Sequence, residues 1–253
     1  MGFILQPPFV IFFDGSISLL TSYHQIISCV SGNEYNDYGL WSMKKMVKGL
    51  IKENRILLID YEDGLSNEVI ENVIERNGRV IILIKEHLTD FIYRNTELIN
   101  KVRSIDYLLI SESDANVLDK ETNMTNENEN KSNTQTKDAE SKSQSNLNKK
   151  VFPHNEDIPD QRNNLHPEAN PPLSKKDHSN TSKRLQVGLS KALLFLQNSA
   201  EPSVKDILYL GLEEGKEVFS IPEEIKSKYI GGNSFIRQGA KLTSDVKDIL
   251  NDL

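Results

Sequence analysis

The run Leu210-Gly211-Leu212-Glu213-Glu214-Gly215-Lys216-Glu217-Val218-Phe219-Ser220-Ile221-Pro222, followed by Gly231-Gly232-Asn233-Ser234-Phe235-Ile236-Arg237-Gln238-Gly239-Ala240, decides the fold. Val204, Ile207, Leu208, Gly211 and Leu212 recur at helical spacing, and Gly215 stands where a helix C-cap favours a residue with positive φ. Glu217 to Ile221 reads as a strand stopped by Pro222, which has no N–H to give to a ladder. Gly231 and Gly232 permit a positive-φ turn, Asn233 can cap a short helix holding Phe235 and Ile236, and Gly239 closes that helix. Helix, strand and helix in this order form the closing unit of a nucleotide-binding α/β sheet, and the free N–H groups at a helix start are where phosphates bind. A tight surface turn is the other use such glycines have.

Working outward, strands and helices alternate with ordinary connection lengths. Strands are expected at Gln25 to Val30, Arg55 to Asp60, Arg79 to Ile84, Asp106 to Ser111 and Lys191 to Gln197. Helices are expected from Tyr38 to Glu53, with Leu40, Met43, Met46, Val47 and Leu50 on one face, from Leu65 to Arg76, near Arg94 to Lys101, and from Arg184 to Ser190. The pattern predicts an α/β fold with a Rossmann-like, doubly wound, mostly parallel sheet. Ligands in such folds lie at the carboxyl ends of the strands, which directs attention to the loops after Val30, Asp60, Ile84, Ser111 and Gln197, and to the one around Gly232. At the carboxyl end, Leu242 to Leu253 is amphipathic, with Thr243 or Ser244 as cap and Val246, Ile249 and Leu250 turned to the core or to a dimer contact.

Composition divides the chain in three. Residues 113–182 are rich in Asn, Ser, Lys, Thr, Asp, Glu and Pro and nearly free of apolar clusters, so they cannot bury enough surface to offset ordering entropy. They are expected to be a low-complexity disordered insert between a first part, 1–112, and a second part, 183–253, leaving roughly 185 residues for one core. The formal charge of −7 splits as −4 before the insert, −3 within it and zero after it. That balance opposes strong nucleic-acid binding, which draws its affinity from Lys and Arg, though it allows a local basic patch. One cysteine, Cys29, in an apolar strand, excludes an internal disulfide framework. Phe9 to Phe13 is too short to cross a membrane and no basic n-region precedes it, so a cytoplasmic protein is expected.

Several stretches resemble the DprA/Smf family of DNA-processing proteins. The closing segment is similar to the family's "G-R/K-x-V-F-x-V/I-P" strand and "G-x-N-x-L-I-x-x-G-A" element. Pro7 to Phe13 with Gly15, Leu19 and Leu20 resembles "P-x-x-L-F-x-x-G-x-x-x-L-L", and Val30-Ser31-Gly32-Asn33 with Tyr38-Gly39 resembles "V-G-S/T-R-x-x-S/T-x-Y-G". Leu108 to Glu112 is similar to "x-L-I-S-E", and Arg184 to Ser190 to "R-N-R-I-I-A-G-L-S". The resemblance implies a non-catalytic Rossmann core that binds single-stranded DNA, forms a homodimer and helps a RecA-type recombinase onto DNA in recombination and natural transformation of competent cells. It implies no cofactor and no metal, and a core without the family's flanking helical and winged-helix domains. The DNA-binding residues it points to are Ser31, Gly32, Asn33, Tyr38, Lys183, Arg184, Gly232, Asn233 and Arg237.

The binding positions depart from the family more than the sheet does. Asn33 takes the place of the arginine that would contact phosphate, and it lacks the charge for a bidentate contact. Asp60-Tyr61-Glu62-Asp63-Gly64 keeps only Gly64 of the family's "S-G-x-A-x-G-I-D". Its three carboxylates could hold a divalent ion, or form a solvated acidic loop. Pro202-Ser203 and Pro222-Glu223 stand where the family has "S-G" and "P-G". Lys191, Lys216 and Lys241 join Lys183, Arg184 and Arg237 as candidates for a basic strip, and Tyr38 either stacks a base or packs. The histidines at 24, 87, 154, 166 and 178 lack metal-ligand spacing. Motifs for serine hydrolysis, nucleoside triphosphates and dinucleotides are missing. Two further readings remain open: an interaction module that has lost DNA binding, and a small-nucleotide hydrolase of a related Rossmann group.

Overall fold

The computed structural model describes residues 10–62, 64–113 and 175–253, with side chains from residue 182 onward in the last stretch. Most of the expected insert, Pro7 to Phe9, Asp63, His154 and His166 lie outside the described residues, as does the side chain of His178. The strands are β1 (Phe12–Gly15), β2 (Ile26–Val30), β3 (Ile56–Asp60), β4 (Arg79–Ile84), β5 (Asp106–Ser111), β6 (Ala192–Phe195), β7 (Glu217–Ser220) and β8 (Lys241–Leu242). They form one sheet in the order β1-β5-β4-β3-β2-β6-β7-β8. All neighbours are parallel except β1, which runs antiparallel to β5 with Phe12 opposite Ser111. Residues on both sides of the polar segment therefore build a single Rossmann-like sheet.

The order reverses between β2 and β6, whose Cys29 and Leu194 are in register. Chain order runs outward to β5 on one side and to β8 on the other. Helices α1 (Asp37–Lys52), α2 (Leu65–Glu75), α3 (Leu88–Arg94), α4 (Thr96–Val102) and α8 (Val246–Leu250) pack with Ile27, Cys29, Leu57, Ile59, Ile82 and Leu194. The other sheet face meets α5 (Lys175–Gly188), α6 (Pro202–Glu213), α7 (Gly231–Arg237) and a 3-10 helix over Ile17–Gln25. Strands covered on both faces read as continuous apolar runs rather than alternating ones, which is why Ile56 to Ile59 and Val80 to Leu83 are buried throughout.

The helix ends show the local causes. Gly215, at φ +66°, donates to Leu212 O (3.1 Å) while Lys216 N donates to Gly211 O (2.9 Å), the paired bonds of a Schellman cap. Gly239, at φ +117°, repeats the device after α7, with Ala240 N bonded to Phe235 O at 3.0 Å. The start of α7 differs from expectation. Gly231 and Gly232 are helical, and Asn233 lies inside the helix rather than capping it. Their lack of a side chain serves close packing, since a Cβ on Gly231 would sit 1.8 Å from Asn198 Oδ1 and one on Gly232 2.2 Å from Ile221 O. Asp245, not Thr243 or Ser244, caps α8 in a capping box with Asp248, and buried Thr243 instead donates its hydroxyl to Asp245 O at 3.0 Å. Helix α5 begins well before Arg184, and β1, β8, α3 and the 3-10 helix add to the expected elements.

Candidate functional site

The reversal between β2 and β6 opens a crevice at their carboxyl ends, with the loop Ser31–Asn36 on one side and Gln197–Glu201 on the other. A network of polar side chains closes one half of its mouth. Asn36 caps α1 by accepting from Gly39 N (3.0 Å), and its own N–H donates to Gln197 Oε1 (2.9 Å). Gln197 Nε2 returns a bond to Asn36 Oδ1 (2.9 Å) and another to Glu223. Glu223 and Asn233 form a reciprocal pair, Glu223 N to Asn233 Oδ1 (2.9 Å) and Asn233 Nδ2 to Glu223 O (2.7 Å). Gly32 N donates to Gln197 O (3.0 Å), and the Tyr38 hydroxyl to Pro222 O (2.9 Å). These groups satisfy one another, so the mouth is a clamp that ties α1, β6 and α7 together.

The other half of the crevice lies between the ends of β2, β3 and β4 and the helices α5 and α6. Cys29, Val30, Ser31, Asp60, Glu62, Ser66, Lys85, Lys183, Gln186 and Ser203 line it. Lys85 sits between two carboxylates, 3.1 Å from Asp60 Oδ2 and in contact with Glu62 Oε1. Burial, reinforced by Glu62, pushes the Asp60 carboxyl up to about 6 despite Lys85. Burial works against the Lys85 ammonium too, but two carboxylates outweigh it and its pKa rises. The two shifts are compatible because Lys85 has two partners and Asp60, 12% exposed, is the more deeply placed. Among the described residues no group of three or more His, Cys, Asp and Glu side chains is arranged to hold a metal, and Asp60 and Glu62 both contact Lys85.

The structure brings Ser31, Gly32, Asn33, Tyr38, Gly232 and Asn233 together at the strand ends and leaves Asn33 exposed. Gly64, at φ +87°, lies against that loop, where a Cβ would meet Asn33 O at 2.0 Å. Lys183 and Arg184 border the crevice but are paired, Lys183 with Asp206 at 2.8 Å and Arg184 with Glu112 at 3.9 Å. Burial raises the Glu112 pKa while Arg184 opposes the rise. Arg237 is exposed at the far end of α7, away from the mouth. Lys216 and Lys241 are also paired, with Glu214 and with Glu217 and Asp252, so the candidate cations form no continuous strip. Cys29 is buried, with its thiol pushed up to about 12 by desolvation, as befits a small apolar residue. Sequence reading missed Lys85, Gln186, Gln197 and Asn198. For Lys85, Gln197 and Asn198 a charged or amide residue just after a buried apolar strand was the available signal, whereas Gln186, inside α5, gave none. No helix among the described residues is long and apolar enough to cross a membrane.

No family model matches the chain. Over 86 residues it is 34% identical to the DNA processing protein DprA of Bacillus subtilis, a stretch covering 33% of this chain and 29% of that protein. The fold matches DNA processing protein A of Streptococcus pneumoniae with a TM-score of 0.63 at 19% identity, over 96% of this chain and 66% of that one. It matches DNA processing protein A of Helicobacter pylori, described with a unique single-stranded DNA binding mode, with a TM-score of 0.66 at 15% identity, over 98% and 89% of the two chains. The structural likenesses speak for the fold, and the sequence match takes in under a third of the Bacillus protein. Joined to a Rossmann-like sheet whose switch-point loops are those of the sequence resemblance, these likenesses show that the chain shares the fold of DNA processing protein A and, over 86 residues, is similar in sequence to the Bacillus subtilis protein.

Proposed function

We propose that the chain is a non-catalytic DNA-processing protein that binds single-stranded DNA, pairs with a second copy of itself and helps a RecA-type recombinase onto DNA during natural transformation in the cytoplasm. The 34% identity to the Bacillus subtilis protein carries this reading, and the likeness in fold to the Helicobacter pylori protein supports it. In this reading residues 113–182 link the two parts of the sheet, 1–112 and 183–253. Ser31 and Asn33 approach the sugar-phosphate backbone, Gly232 lets α7 pack close behind them against Ile221, and charge comes from Lys183 and Arg184 at the crevice and from Arg237 at the far end of α7. Gly32 acts through the space it leaves beside Asn198, since its N–H is already bonded to Gln197.

The test is fluorescence anisotropy of labelled poly-dT with the purified protein at two salt concentrations. Binding that weakens as salt rises supports the reading, because phosphate contacts release counterions and each contributes a slope of about 0.7 in log–log form. Absence of binding at low salt overturns it. Arg184→Ala combined with Arg237→Ala is expected to weaken the complex, and unchanged affinity removes those two residues from the site.

One observation favours a second reading, an interaction module with attenuated DNA affinity. Asp60 and Glu62 stand in the crevice with Lys85 between them, and Lys183 and Arg184 already have carboxylate partners. A phosphate entering there meets like charge and must displace existing ion pairs. Retained homodimerisation or recombinase binding without binding of poly-dT would select this reading.

A further inference from the structure

The outer face of α1 has a charge character found nowhere in the crevice. No Asp or Glu occurs between Asp37 and Glu53, while Trp41, Lys44, Lys45, Lys48 and Lys52 are all exposed. The spacings of three, four, seven and eleven from Trp41 put them on one side of the helix. The opposite side, Met43, Met46, Val47 and Leu50, is buried. Lys44, Lys48 and Lys52 have no carboxylate within ion-pair distance among the described residues, which sets them apart from Lys85, Lys183, Lys216 and Lys241. Lys45 is the paired member of the row, 2.9 Å from Ser244 O, 3.9 Å from Asp245 Oδ2 and 5.8 Å from the centre of the Trp41 ring.

Trp41 is the chain's only tryptophan and is 60% exposed. Tryptophan is highly buried on average, so an indole left this open on a lysine-bearing face invites a partner. Tyr38 lies 6.2 Å from it with the rings 31° apart, and Tyr38, Trp41, Lys45, Met46, Pro222 and Ser244 line a groove of about 150 Å³.

We infer that this face of α1 is a contact surface for single-stranded DNA, with Lys44, Lys48 and Lys52 neutralising phosphates along about 12 Å of helix and Trp41 stacking on a base. The inference rests on the single-stranded DNA reading above and moves the charged contacts out of the acidic crevice. Protein interfaces are depleted in lysine, whereas a row of lysines beside an exposed aromatic ring is the combination that holds a strand without reading its sequence. A duplex keeps its bases stacked and offers the indole no free base face.

Trp41 is its own reporter. The full chain is titrated with a labelled oligothymidine at low salt, following anisotropy and tryptophan emission together. The expected result is binding with quenched emission, a loss of about tenfold or more in affinity in Lys44→Glu/Lys48→Glu, and a smaller loss in Lys205→Glu/Lys226→Glu, which changes net charge equally elsewhere. Circular dichroism of both variants confirms folding. Binding of the wild type with unchanged emission and no response to the α1 reversal overturns this surface and leaves the single-stranded DNA reading standing. No binding of the wild type overturns both. Quenching by poly-glutamate but not by oligothymidine also overturns the inference, and makes the face a protein-docking surface.

Discussion

The crevice below α5 and the outer face of α1 belong to the same sheet, yet they hold their charges in opposite ways. In the crevice, Asp60, Glu62 and Lys85 lie together and Lys183 is tied to Asp206. On α1, Lys44 and Lys48 stand in solvent. Neighbouring α2 sharpens the contrast, since it bears Glu68, Glu71 and Glu75 and no Lys or Arg within its bounds. A formal charge of −7 describes neither region. Charge taken out of water is committed to holding elements together, and charge left in water stays available to a partner. Substitutions in the crevice should therefore act on stability, and those on α1 should not.

The largest effect is expected from Gly64→Ala. Gly64 combines φ +87° with a carbonyl, Asn33 O, 2.0 Å from where a Cβ would stand. A left-handed conformation and a clash with backbone should together cost about 4 kcal/mol. The urea midpoint measures it, and a midpoint equal to that of the wild type would show that the loop after β2 does not rest on Gly64.

Asp60→Asn should act in the other direction and through pH. The folded carboxyl titrates at about 6 against an ordinary 3.8, so the unfolded chain ionises first as pH rises. The proton held by the native state contributes stability that is complete below 3.8 and lost as pH rises through 6. By that shift, the stability of Asp60→Asn relative to the wild type should improve by about 2 kcal/mol between pH 4 and pH 7. A difference that stays flat over this window would mean that the Asp60 carboxyl is not desolvated.

These two sites also show what the sequence can carry. Ile56 to Ile59 and Val80 to Leu83 were legible as strands because a strand covered on both faces must be apolar throughout. Strand β1 was not, since Phe12-Phe13-Asp14-Gly15 is short, alternates in exposure and is fixed by pairing with β5, far along the chain. Glycine announces a backbone constraint without saying which one. At Gly215 the constraint is a positive φ, whereas at Gly231 it is the approach of Asn198. The acidic loop was visible as Asp60 and Glu62, but the ion that answers it, Lys85, comes from the next strand, and pairing between separate elements leaves no local mark. Lysines 44, 45, 48 and 52 were in plain view as residue types, and only the exposure of Trp41 turns them into a surface.

The smallest expected effect is the one the contrast depends on. Trp41→Ala and Lys48→Ala should each move stability by no more than about 0.5 kcal/mol, because exposed residues without a buried partner contribute little on folding. Lys48 has no ion pair among the described residues, and the Trp41 ring meets Tyr38 only at 6.2 Å and Lys45 at 5.8 Å. The indole does cover part of the groove beside Met46 and Pro222, and some apolar burial there would add to its cost. Urea midpoints for the two variants separate these contributions. A large loss in Trp41→Ala with none in Lys48→Ala would make Trp41 a packing residue with an open edge, and the case for a binding face would then fall on the lysines alone. Two near-zero values would leave an exposed aromatic residue and a row of unpaired cations that folding does not require, and binding is what such residues remain free to do.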